Sequence, residues 1–219
     1  GHAVFIRKIG VRFSYGLHST IQSMKILIIG TPRSGSSNIT LSLSNILKLD
    51  SFQEPYNYSH PKLKNRIYPE ISSKGIVIKT LFHQTPKNVT DCFKFYKEEI
   101  KKFDRVIILA RKDIKAAYES FNYNVVENED RNWHNQYIYD DYKFNEDIFY
   151  SYLKWSLEII EFSKLHNLNI TWYEDLYSKD INLVEEITKT WNLKITGEQL
   201  IKELNRKPKY RKYRKTTII

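Results

Sequence analysis

Short, wholly apolar runs alternate along the chain with longer stretches whose apolar positions recur every three or four residues. "KILIIG" (25–30) is the first run, four consecutive aliphatics closed by a glycine. Such a run predicts a strand buried on both faces of a parallel sheet. "GIVIKT" (75–80) and "DRVIILAR" (104–111) repeat the pattern, and "LNITWY" (168–173) is a shorter copy. Helical spacing fills the intervals. Ile39, Leu41, Leu43, Ile46 and Leu47 follow the first run, and 89–103 is a helix with Thr90 as its candidate cap. Further helices are predicted over 113–121, 145–166, 181–191 and 197–204, the last opened by Thr196. Residues 122–142 are polar, acidic and rich in Asn and Tyr, and read as a long loop or irregular insertion. Strands separated by helices predict right-handed crossovers. The expected fold class is α/β, a three-layer sandwich with a central, mostly parallel sheet.

Length and charge sharpen this picture. A 219-residue chain that is 41% hydrophobic supports one sizeable core. That core is expected over residues 24–205, with an N-terminal extension (1–23) before it and a basic tail (206–219) after it. The Gly-His start suggests a tag remnant; upstream read-through, a natural extension and a transit peptide are the other readings of a basic stretch without acids. No apolar run approaches the roughly 18 residues of a membrane helix. The single cysteine, Cys92, excludes an internal disulfide and fits a cytoplasmic location. The net charge of +10 invites a nucleic-acid partner. Its distribution argues otherwise, because the excess lies at the ends: residues 24–205 carry 25 basic and 25 acidic side chains. Residues 127–147 are acidic, a surface that a phosphate backbone would avoid.

The candidate chemistry begins at "ILIIGTPRSGSSNIT". Gly30, Gly35 and Ser37 fall where a nucleotide P-loop, G-x-x-x-x-G-K-[ST], places its glycines and hydroxyl, but Ser36 replaces the lysine and Arg33 lies three residues earlier. A strand, a glycine loop and a helix N-terminus together form an anion site, since the first-turn amides lack intrahelical partners and the helix dipole adds positive potential. Ser34, Gly35, Ser36, Ser37 and Asn38 would line it, and Arg33 would supply charge and a planar fork. Without the lysine, a triphosphate site loses its main cation.

"PRSGSS" after a strand resembles the 5′-phosphosulfate loop of sulfotransferases that use 3′-phosphoadenosine 5′-phosphosulfate (PAPS). Three further segments fit the same family in order. Arg111 and Ser120, nine apart, resemble its 3′-phosphate pair. "IVIKT" with Lys79 resembles its strand ending in Lys-Thr, and "WYEDL" resembles its C-terminal strand–helix junction, with Tyr173 at an adenine-contacting position. The resemblance covers roughly residues 24–193. It implies a P-loop-like fold, PAPS as donor with 3′,5′-bisphosphoadenosine (PAP) as product, and no metal in the chemistry.

In the branch with a histidine base, that histidine directly follows Lys-Thr. Here Leu81 takes its place, and His83 comes two residues late, as a turn or packing residue. The carbohydrate and tyrosyl branch, with many bacterial and viral members, uses a Glu after the first helix, and "LDSFQEPYNY" supplies Glu54 before Pro55. The resemblance therefore implies Glu54 as general base, with Arg33 and Lys79 stabilising developing charge. The acceptor would bear a hydroxyl: a carbohydrate or glycoconjugate first, a tyrosyl or small-molecule hydroxyl second. The alternatives are a P-loop-type kinase with a relocated basic residue, and a non-enzymatic nucleic-acid-binding protein using its basic tail.

Overall fold

The computed structural model describes residues 24–57, 75–126 and 144–206. The N-terminal extension, the tail beyond Arg206 and residues 127–142 of the predicted insertion lie outside these residues.

Five strands form one sheet: β1 (Lys25–Gly30), β2 (Asp50–Gln53), β3 (Ile76–Leu81), β4 (Arg105–Ala110) and β5 (Ile170–Trp172), in the order β2-β3-β1-β4-β5. Every neighbouring pair is parallel, with Ile28 opposite both Lys79 and Ile107. The period of two then sorts the apolar run of β1. Ile26 and Ile28 join one core with Ile39, Leu43, Val184 and Leu200, while Leu27 and Ile29 join a second with Tyr96, Ile159 and Phe162. The first core packs α1 (Ser36–Leu47), α6 (Ile181–Thr190) and α7 (Gly197–Leu204) on one face, with the short α5 (Tyr173–Leu176). The second packs α2 (Cys92–Glu99) and α4 (Glu146–Leu165) on the other. α3 (Ile114–Val126) lies against α4 through Ala117, Tyr118 and Tyr152. Each fully buried aliphatic of β1 contributes about 1.5–3 kcal/mol, so the central strand is held firmly from both faces.

Three local expectations are corrected. β2 lies at the sheet edge in a stretch read only as the setting of Glu54. α3 continues to Val126, into residues expected to be irregular. The cap of α2 is Asp91, whose carboxylate accepts from the Lys94 amide at 2.9 Å, and not Thr90. Thr196 caps α7 in a full capping box with Gln199. No helix among the described residues is long and apolar enough to cross a membrane.

The connections set the place of the site. α1, which follows β1, covers one face; α2 and the α3–α4 pair, which follow β3 and β4, cover the other. Chain therefore leaves the carboxyl end of β1 in the opposite direction from both neighbours, which makes that end a topological switch point, where open α/β sheets bind their ligands.

Candidate functional site

The loop after β1 is built around two left-handed residues, Arg33 (φ 63) and Gly35 (φ 75). Gly35 is the N-cap of α1 and offers no side chain to its first turn. The amides of Asn38 and Ile39 turn back to the Gly35 carbonyl, while those of Ser36 and Ser37 have no partner among the described residues. These amides and the dipole of a 12-residue helix provide donors for an anion. A Cβ on Gly35 would lie 2.9 Å from the Tyr173 ring, so glycine is required for space as well as for φ.

The loop side chains divide into those that build it and those that face outward. The Ser34 hydroxyl is buried and donates to the Thr31 carbonyl at 2.7 Å. Ser36 is buried beside Gly30, and Ser37 is exposed. Asn38 donates to the Tyr177 hydroxyl (3.0 Å) and the Leu204 carbonyl (3.4 Å), tying α1 to α5 and α7. From behind, Tyr152 of α4 donates to the Pro32 carbonyl at 2.7 Å. Burial pushes the Tyr152 hydroxyl up to about 12, against the pull of the nearby Arg111 and Arg33 guanidinia. Both arginines thus act on the same hydroxyl.

Arg33 Nε donates to Ser120 Oγ at 2.8 Å. Ser120, expected beside Arg111 at a 3′-phosphate, thus also anchors the arginine of the loop. Arg111 lies over the Tyr173 ring, 4.4 Å from its centroid, with Nε 3.5 Å from Glu174 Oε1. Glu174 also accepts from the Lys112 and Asp113 amides, at 2.9 and 3.2 Å. Its own burial opposes ionisation, but those amides and Arg111 hold its carboxyl below the usual range. Tyr173 stacks on Tyr177 as well, at 4.4 Å.

Glu54 and Lys79 meet directly. Glu54 follows β2 in the left-handed region (φ 51), and its amide donates to the Lys79 carbonyl at 2.7 Å. Lys79 Nζ donates to Glu54 Oε1, while Oε2 accepts from Asn57 Nδ2 (2.6 Å) and Gln84 Nε2 (3.1 Å). Burial alone would push the Glu54 carboxyl up. The Lys79 ammonium, with the three side-chain hydrogen bonds, more than offsets this and holds it at about 2. Lys79 is only 3% exposed; burial lowers its pKa, Glu54 offsets part of the shift, and Arg33 adds to the lowering. A non-glycine residue in the left-handed region costs of order 1–3 kcal/mol and persists where its surroundings hold it. Arg33 and Glu54 are both in that region.

His83 stacks on Trp155 at 4.0 Å, and its Nδ1 is buried without a partner among the described residues. Burial takes the imidazole down to about 4, with Glu54 opposing and Lys79 reinforcing the shift, so the ring is neutral at pH 7. The structure therefore brings Arg33, Ser120, Glu54 and Lys79 to the mouth of one loop, and sets Arg111 and Tyr173 at its flank. The brace from Tyr152 and the clamp from Asn57 and Gln84 carry no mark in the sequence, being single polar groups without a spacing rule. Among the described residues, no three His, Cys, Asp or Glu side chains are grouped to hold a metal.

No family model and no curated protein matches the chain. Among solved structures it is similar to the YorR protein from Bacillus subtilis, crystallised in complex with phosphorylated GDP. Identity is 16%, the alignment covers 76% of this chain and 98% of that one, and the TM-score is 0.41. A likeness at that level bears on neither ligand nor activity.

Proposed function

We propose that the protein is a PAPS-dependent sulfotransferase acting on a hydroxyl, with a carbohydrate or glycoconjugate as the favoured acceptor. One observation carries the reading. A buried lysine and a carboxylate, brought from two strands, meet at the mouth of an anion loop whose charge is Arg33. The donor set fits the ligand: unpaired first-turn amides and Arg33 for the 5′-phosphosulfate, and Arg111 at the flank for the 3′-phosphate. PAPS would supply the sulfuryl group and a bisphosphate leaving group.

In this reading the loop amides and Arg33 orient the phosphosulfate, and Ser120 fixes the guanidinium through its Nε. Tyr173 supports Arg111 and packs against Gly35 as well as lying toward the adenine side. Glu54 takes the acceptor's proton as the hydroxyl attacks in line, and Lys79 stabilises charge on the departing phosphate oxygen. Glu54 is ionised throughout the physiological range, as a base must be. The test is transfer of radiolabelled sulfate from PAPS to a panel of glycans, tyrosyl peptides and phenols. Wild-type protein is expected to label one class, and Glu54→Gln to lose about a hundredfold or more in turnover. Unchanged turnover in that variant would refute the base assignment.

A further inference from the structure

We infer that Glu54 is also a stand-in anion: its carboxylate holds Lys79 until a bound anion takes the ammonium over, so the base is released only once the donor is seated. This rests on the sulfotransferase reading for the identity of the anion, while the exchange itself rests on the charge arrangement.

Lys79 is buried, and Glu54 is its side-chain partner among the described residues. Arg33 acts on the same ammonium, yet its own Nε is spent on the neutral Ser120 hydroxyl. Among the described residues, one carboxylate thus answers two cations, and the mouth of the loop is short of negative charge. An anion on the Ser36 and Ser37 amides supplies the missing charge and competes for Lys79.

The carboxylate is built to survive the exchange. Asn57 and Gln84 grip Oε2, and the Glu54 amide is fixed to the Lys79 carbonyl. Departure of the ammonium therefore frees Oε1 alone, on a side chain that stays in place. Burial, which opposes ionisation, then acts without its main counterweight, and Oε1 becomes more basic. The proton of the acceptor hydroxyl moves to Oε1 as its oxygen bonds to sulfur. The bond from sulfur to the phosphate oxygen breaks, its electron pair staying on that oxygen beside Lys79. The order is compulsory: donor first, acceptor deprotonation second. PAPS and PAP both carry the 5′-phosphate oxygen that takes Lys79 and must displace Glu54, whereas adenosine 3′-monophosphate, lacking that phosphate, need not.

Calorimetry on the full chain tests this with PAP, PAPS and adenosine 3′-monophosphate as probes. In Glu54→Gln, PAPS and PAP are both expected to bind at least about tenfold more tightly than in wild type, with adenosine 3′-monophosphate changed by less than about threefold. PAPS affinity that is unchanged or weaker in the variant overturns the inference. If neither PAPS nor PAP binds wild type, the sulfotransferase reading fails by itself, and inorganic pyrophosphate becomes the probe. Tighter pyrophosphate binding in Glu54→Gln supports the exchange, and equal binding overturns it. If that variant does not fold, carboxyl-carbon NMR of wild type decides. Saturating PAPS, or pyrophosphate where no nucleotide binds, should move the Glu54 titration upward, and a fixed titration overturns the inference.

Discussion

Gly35→Ala perturbs the site at its narrowest point, and the structure sets the size of the effect. Gly35 has φ 75, where an L side chain costs about 1–2 kcal/mol. The new methyl would lie 2.9 and 3.1 Å from two atoms of the Tyr173 ring and 3.2 Å from the Tyr177 ring. Neither ring is free to swing aside. They stack on each other at 4.4 Å, Arg111 lies over one, and Asn38 holds the hydroxyl of the other. Overpacking of this kind costs about 1–3 kcal/mol. The two effects together give about 2–5 kcal/mol, or a fall in melting temperature of about 5–20 °C for a chain of this size. Circular-dichroism melts with matched urea titrations measure it. Gly35→Asn separates the contributions: asparagine tolerates the left-handed region but carries the same Cβ, so at least about 1 kcal/mol of loss should persist. Ser37→Ala, two residues on and exposed, should stay within about 0.5 kcal/mol of wild type. A Gly35→Ala protein melting within about 2 °C of wild type would refute the packing described here.

Other consequences are equally open to measurement. The Glu54 carboxyl titrates at about 2 when folded against an ordinary 4.5, so its contribution is present above pH 4.5 and is lost as pH falls toward 2. The shift corresponds to about 3 kcal/mol, and urea melts of wild type should lose this much more than those of Glu54→Gln across that window. Parallel pH profiles would contradict it. Ser120→Ala removes the acceptor of a charged hydrogen bond and should cost about 1.5–3 kcal/mol of stability. An unchanged urea midpoint would show that Arg33 does not depend on it. Arg111→Ala should weaken PAP about tenfold more than it weakens adenosine 5′-phosphosulfate, and equal losses in competition binding would contradict a 3′-phosphate role.

The parts of the fold legible in the sequence are those whose environment imposes a pattern. β1, β3 and β4 are buried on both faces, so nearly every position is apolar and the runs stand out. β2 is four residues at an edge with Phe52 its one apolar side chain, and leaves no such trace. The end of α3 was hidden because Asn122 and Asn124 read as loop residues, although Asn122 is buried in the helix. At the site, the loop, Glu54 and Lys79 were found from local motifs, and the sheet brings them together because β2, β3 and β1 are neighbours. The pairing of Ser120 with Arg33 was not legible. It depends on how α3 crosses the β1–α1 loop, which no sequence spacing encodes. The contact between Glu54 and Lys79 was likewise invisible, since it depends on the register that places Gln53 opposite Lys79.

The central claim is that the loop after β1 holds a phosphosulfate and not a triphosphate. Calorimetric titration with PAP in magnesium-free buffer tests it most directly, with ATP–Mg²⁺ titrated into the same preparation. The arrangement of Arg33, Arg111 and the free first-turn amides predicts saturable PAP binding at about micromolar affinity or better, without any metal. Binding of ATP–Mg²⁺ with no heat from PAP would contradict it.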